Sequence, residues 1–191
     1  MTKEQILQEA KALQDEIKSH RLWLHTHAET GFDLTETKPY VKSTLTEMGY
    51  TVQECGKAGL VTTVGKPGGK VLLLRADMDA LEFIIDGKKT MIHACGHDGH
   101  TAMLLTAAKL LQTHREALEG TVLLCFERGE EATMNIYHIM KTLEKAGIGP
   151  DSVFGLHVSP HTPAGTLQIQ AGPLMAGMFS FHVRLQGRGG H

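Results

Sequence analysis

Four consecutive apolar residues, Val71-Leu72-Leu73-Leu74, constrain this chain more than any other stretch. In a strand, successive side chains point to opposite faces, so an unbroken apolar run requires cover on both. The sequence that follows supplies the covering helices. From Gly99 the apolar period lengthens to that of a helix, with Met103, Leu104, Ala107 and Leu111 on one face and an end near His114. Thr121 to Phe126 reads as a second buried strand, Met134 to Ala146 as a helix closed by Gly147, and Val153 to Val158 as a third strand. Strand, helix, strand, helix, strand is the pattern of crossover units. It predicts an α/β fold of three layers, helix/sheet/helix, around a largely parallel central sheet.

The upstream sequence adds two helices and a turn. Thr2 followed by Gln5 fits a capping box, and Ile6, Ala10, Leu13 and Ile17 recur at helical spacing, predicting one amphipathic helix over residues 3 to 27. Pro39 suits a first helical turn, and Val41, Leu45 and Met48 mark a helix that stops at Gly49. Gly59 to Val64 and Val71 to Arg75 flank Lys66-Pro67-Gly68-Gly69, whose turn chemistry predicts a hairpin between them. A net charge of −2 with interspersed signs gives no electrostatic case for nucleic acid. No run approaches the roughly 18 to 20 apolar residues of a membrane span, and residues 1 to 30 hold no apolar signal segment. An odd number of widely spaced cysteines, Cys55, Cys95 and Cys125, argues for reduced thiols, so a cytoplasmic, soluble protein is expected.

In open α/β sheets ligands bind beyond the carboxyl ends of the strands. Here polar chemistry gathers at those ends. Arg75-Ala76-Asp77-Met78-Asp79 follows the first strand, Cys95-Gly96-His97-Asp98-Gly99-His100 opens the next helix, Glu127 to Glu131 follows the second strand, and His157 closes the third. Cys95, His97 and His100 can each hold a transition metal, and the two glycines between them allow a tight backbone turn. Glu130 and Glu131 are adjacent, so their side chains diverge, and one can hold a metal while the other faces a substrate. Mixed thiolate, imidazole and carboxylate donors suit zinc, manganese or cobalt and do not suit calcium or magnesium. Beside such an ion the pKa of water falls from about 16 to about 7, and a neighbouring carboxylate can take its proton and deliver it to a leaving amine. Cys55 and Cys125, in strand-like runs, read as small buried residues, and Met134 and Met140 read as core.

These residues resemble the aminoacylase and carboxypeptidase-type metallohydrolases, and within them the amidohydrolases that act on hippurate, N-acetyl-amino acids and auxin conjugates. The resemblance rests on Arg21 to His25 with Glu29 and Gly31-Phe32, Arg75 to Leu81, His93 to His100, the Glu130-Glu131 pair, Gly155 to Val158, and Gly187 to His191. It implies Cys95, His97, Glu131 and His157 as metal ligands, Glu130 as general base and acid, and two divalent ions per complete site. Asp77 and Asp98 would support the ligands or cap the helix, and His100 would lie near the site. His191 would bind a small-molecule N-acyl-amino acid substrate across a dimer.

Members of that family are longer. The resemblance therefore implies residues 1–175 as the N-terminal part of a catalytic domain and 176–191 as the opening strand of a lid and dimerisation domain. A homodimer or a complementing C-terminal fragment is expected, with impaired turnover of this chain alone. The alternative is a non-catalytic truncated remnant that binds metal or a partner subunit. Two stretches depart from the family pattern: Glu82-Phe83 stands where Leu-Pro is usual, and Glu127-Arg128-Gly129 replaces a Gln-Pro-Ala lead-in to the glutamate pair.

Overall fold

The computed structural model describes residues 2–55, 59–132, 136–174, 177, 179 and 181–190, with Ile136 described by its backbone alone. They divide into two units, the first ending at Val158 and the second running from Ser159 onward.

In the first unit, α1 (Lys3–Ala12) opens on the expected capping box, the Thr2 hydroxyl accepting from the Gln5 N–H and the Gln5 side chain from the Thr2 N–H. The single helix expected over residues 3 to 27 is instead two. Leu13, at φ −90° and ψ 9°, breaks it before α2 (Gln14–Thr26). Helix α1 buries no residue, so no core contact holds the two segments in line. Helix α3 (Thr37–Glu47) buries Thr37, Val41 and Leu45. The Glu29 carboxylate caps it by accepting from the backbone N–H groups of Thr35, Glu36 and Thr37.

The strands follow as β1 (Gln53–Glu54), β2 (Gly59–Gly65), β3 (Val71–Asp77), β4 (Leu81–Ile85) and β5 (Lys88–Ile92). Helix α4 (His97–Thr113), β6 (Thr121–Glu127), α5 (Ile136–Lys145) and β7 (Ser152–Gly155) complete the unit. The main sheet has the order β1-β2-β6-β3-β7. Strand β3 is parallel to β6 and β7, while β2 is antiparallel to both its neighbours. Four of the five strands therefore run one way, and the sheet is mostly parallel, as the sequence predicts.

The predicted hairpin between residues 59–64 and 71–75 does not form, because β6 lies between β2 and β3 and pairs with both. The turn between them closes on the entry to β6: the Lys66 N–H donates to the Gly120 carbonyl and the Thr121 N–H to the Lys70 carbonyl, both at 2.9 Å. A Cβ on Gly69 would come within 2.4 Å of the Glu119 carbonyl oxygen, so that glycine makes room for the incoming strand. A hairpin does form elsewhere. Strands β4 and β5 pair around Asp86-Gly87, both at positive φ as an Asp-Gly hairpin turn requires.

Side chains along β6 alternate between two cores. Val122, Leu124 and Phe126 pack with Leu104, Leu105 and Ala108 of α4 and with Val41 and Leu45 of α3. Leu123 and Cys125 face the other way and pack with Leu73, Ile139 and Leu143. The continuous apolar run thus has helices over both faces, giving the three layers. Each large side chain so buried contributes about 1.5–3 kcal/mol relative to exposure. Cys55 and Cys125 are buried and free, as read from the sequence. Met140 is a correction: it is exposed, since α5 turns Ile139 and Leu143 inward, and Met134 lies outside the described residues. Strand β7 has no partner on its outer side among the described residues and exposes Val153 and Phe154.

The second unit shows turns but no helix or strand among its described residues; the Thr166 N–H donates to the Pro163 carbonyl, and the Gln170 amide to the Pro173 carbonyl. No helix among the described residues is long and apolar enough to cross a membrane.

Candidate metal centre

Parallel register sets Asp77 beside Glu127 and Arg75 beside Gly155, so the carboxyl ends of β3, β6 and β7 share one edge. Helix α4 begins there. The Arg75 guanidinium ties the strand ends together, donating to Asp77 Oδ2 at 2.7 Å and through Nε and Nη2 to Glu127 Oε2 at 2.8 and 2.6 Å.

Around this edge the donor atoms of Cys95, His97 and His157 lie within 4.8 Å of one another, as do those of His97, Glu130 and Glu131. The donor atoms of Asp77, His97 and His100 form a third such group, so His97 belongs to all three. It is only 1% exposed, yet neither ring nitrogen has a hydrogen-bond partner. The nearest carboxylates, Asp77 and Asp79, stand at 3.6 Å and Glu131 at 3.9 Å, beyond hydrogen-bond reach. A buried polar atom left unsatisfied costs about 1–3 kcal/mol; a cation among these donors would take the lone pair of one nitrogen and leave the N–H of the other turned toward a carboxylate. The residues present therefore fit a metal. Burial opposes protonation of His97, but the Asp79 and Asp77 carboxylates outweigh it and raise its pKa. Burial and then the Glu131 charge push the Cys95 thiol up to about 11. Such a thiol gives up its proton when a metal takes its place.

His157 Nε2 stands 3.3 Å from Cys95 Sγ. Its Nδ1 donates to the Val158 carbonyl at 2.6 Å, since that oxygen can only accept, and Nε2 is thereby left with a lone pair facing the cluster. Asp79 holds the glutamate pair: its two carboxylate oxygens accept from the backbone N–H groups of Glu130 at 3.1 Å and Glu131 at 3.2 Å. Phe32 holds the same loop from below. Arg128 donates to the Phe32 carbonyl at 2.6 Å, and Gly129, at φ +72°, lies so close to the Phe32 ring that a Cβ would sit 2.4 Å from it. The Glu130 pKa is raised, first by partial burial and then by the charge of Glu131.

Asp98 faces away from this cluster. Its Oδ2 accepts from Arg21 at 3.0 Å and His25 at 2.8 Å, and its Oδ1 from the Gly99 N–H, so it locks α2 to the start of α4. Although burial opposes ionisation of Asp77, the hydrogen bond from His100 and the Arg75 charge hold its carboxyl down at about 2. His93 is buried with both ring nitrogens unpartnered, and burial lowers its pKa.

The structure thus brings together Cys95, His97, Glu130, Glu131 and His157, while His191 lies outside the described residues. Sequence reasoning missed Asp79, Phe32 and Glu127 as supports. The spacing of Asp77 and Asp79 carried a signal, because residues two apart at a strand end share a face.

A mixed sulfur, nitrogen and oxygen donor set at the carboxyl edge of a mostly parallel sheet defines a metal-binding α/β protein. Residues 73–189 match the model of Peptidase family M20/M25/M40, and the chain belongs to that family. It is 40% identical over 176 residues to the IAA-amino acid hydrolase ILR1-like 5 of Arabidopsis thaliana, covering 88% of this chain and 40% of that protein. It is 35% identical over 207 residues to the N-acyl-L-amino acid amidohydrolase of Geobacillus stearothermophilus, covering all of this chain and 54% of that one. Among solved structures it resembles the Bacillus subtilis YXEP protein, described as a dinuclear metal binding peptidase from the M20 family. There the TM-score is 0.75 at 31% identity, covering 86% of this chain and 48% of the other. The chain spans about half the length of the curated relatives it matches.

Proposed function

We propose that this chain carries the metal-holding half of an amidohydrolase site that cleaves the amide bond of N-acyl-amino acids. The observation that carries the reading is His97, buried with two unpartnered ring nitrogens among the donors of Cys95, His157, Glu130 and Glu131. The names of the relatives support the substrate class: one hydrolyses IAA-amino acids, another N-acyl-L-amino acids, and a third, from Bacillus subtilis, is an N-acetyl-L-cysteine deacetylase. Cys95, His97, Glu131 and His157 would hold two divalent ions, zinc, manganese or cobalt, in the complete site. Bound there, the ions supply the positive charge that lowers the pKa of a water and polarises an amide carbonyl. Glu130 then has the proton work. Its raised pKa suits a carboxylate that takes a proton from the attacking water and passes it to the nitrogen of the departing amino acid. Asp79 keeps the Glu130 and Glu131 backbone in place through both steps.

His191 is the proposed substrate contact, within a lid segment formed by residues 176–191 after a catalytic part of 1–175, and reaching the site across a dimer. The reaction is placed in the cytoplasm, where its thiol donor stays reduced. The test loads the protein with zinc, manganese or cobalt and measures amino-acid release from N-acetyl-amino acids and hippurate. It is run with the chain alone and with a second chain supplying the remaining length of a relative. The complemented form is expected to turn over, and Glu130→Gln to lower its turnover about 10²- to 10⁴-fold while metal stoichiometry stays. No hydrolysis by any loaded, complemented form would overturn the proposal in favour of a non-catalytic metal-binding chain.

A further inference from the structure

His97 and His100 sit one helical turn apart at the start of α4, both buried, yet their ring nitrogens are in opposite states. Those of His97 are unpartnered, while both of those of His100 are engaged. His100 Nδ1 lies 2.6 Å from Asp77 Oδ1, and Nε2 lies 2.9 Å from the backbone nitrogen of Val158. An ionised carboxylate can only accept and a backbone N–H can only donate, so the tautomer is fixed: Nδ1 carries the proton and Nε2 accepts. No lone pair of this ring is left for a metal.

What His100 grips is the peptide that orients His157. The Val158 N–H donates to His100, and the Val158 carbonyl accepts from His157 Nδ1. The rings of His100 and His157 stand edge to face with centroids 4.6 Å apart. On its other side Val158 rests on the Cys95-Gly96 turn, where a Cβ on Gly96 would fall 2.3 Å from Val158 Cγ2. Past the end of β7 the chain is exposed, and this clamp ties His157 to the sheet edge alongside its contact with Cys95. Arg75 anchors the far end of the relay by donating to Asp77.

We propose that His100 is a positioning residue and not a metal ligand: through the Val158 peptide it fixes the orientation and tautomer of His157. This rests on the proposed role of His157 as a ligand. The first experiment uses the wild-type chain, labelled with nitrogen-15 and loaded with cadmium-113, and reads cadmium–nitrogen coupling at each imidazole. Coupling at His97 and His157 with none at His100 is expected, and coupling at His100 overturns the proposal. Coupling at no histidine sinks the metal site itself and this inference with it, a result distinct from the previous one. The second compares cobalt(II) titrations of the wild type, His100→Ala and His100→Gln, following the thiolate-to-cobalt absorption. His100→Ala should weaken binding about 10- to 100-fold while leaving the saturated spectrum unchanged. His100→Gln keeps an oxygen able to accept from the Val158 N–H and should recover part of that loss. If His100→Ala binds cobalt as tightly as the wild type, or its saturated spectrum changes, the positioning role is contradicted.

Discussion

The candidate site has a buried shelf and two exposed arms, and they differ in how they are held. The shelf is Asp77, Asp79, His97 and His100, at the end of β3 and the start of α4, each no more than 3% exposed. The arms are the Glu130-Glu131 loop beyond β6 and His157 beyond β7, all three exposed. The shelf is buried within the three-layer fold, with Asp77 held by hydrogen bonds from Arg75 and His100. The arms are fixed by hydrogen bonds, each from a backbone N–H of the arm to a shelf side chain: Glu130 and Glu131 to Asp79, Val158 to His100. A donor set can therefore be assembled from segments that bury little of their own surface, provided a buried acceptor grips their backbone.

The largest effect expected from breaking this division lies in the arm itself. Glu130→Gln removes the proposed proton carrier and should lower turnover of N-acyl-amino acids about 10²- to 10⁴-fold, read as amino-acid release, with bound metal per chain unchanged. Asp79→Ala should release the glutamate arm without touching a donor atom, weakening metal binding about 10- to 100-fold in competition with a chelator. Equal affinity in wild type and variant would show that the arm holds its place without the shelf. Gly129→Ala attacks the same arm from the Phe32 side. Its Cβ would lie 2.4 Å from the ring at a φ of +72°, and urea unfolding should show a loss of about 1–3 kcal/mol.

The smallest effect is a control far from both regions. Lys38 and Lys42 each donate to Glu54, and these hydrogen bonds hold its carboxyl at about 2 in place of the usual 4.5. The stabilisation is present above pH 4.5 and fades as pH falls toward about 2. The pairs are exposed and screened, so Glu54→Gln should cost less than about 1 kcal/mol in neutral solution and only a small part of that at pH 2, with metal affinity unchanged.

Much of the shelf was legible in the sequence and less of its wiring. Consecutive apolar residues at 71–74 and 122–126 announced strands covered on both faces, because that requirement is local to each strand. Which strands pair is not local: the glycines at 68 and 69 look like a hairpin turn, yet the partner that arrives is β6, about fifty residues on. The Asp86-Gly87 hairpin was readable from its turn dipeptide, because that turn is local to the two short strands it joins. Cys95, His97, Glu130, Glu131 and His157 could be named as candidates because each stands at a strand end or helix start. The contrast between His97 and His100 could not, since one spacing on one helix gives both rings similar burial and only the partners from β3 and the Val158 peptide distinguish them.

X-ray absorption at the zinc edge tests most directly whether shelf and arms together hold a metal. Zinc-loaded protein is predicted to show one sulfur at about 2.3 Å with nitrogen or oxygen neighbours at about 2.0–2.2 Å, and Cys95→Ser to lose the sulfur shell alone. A wild-type spectrum without sulfur, or protein that retains no zinc after dialysis, would contradict it.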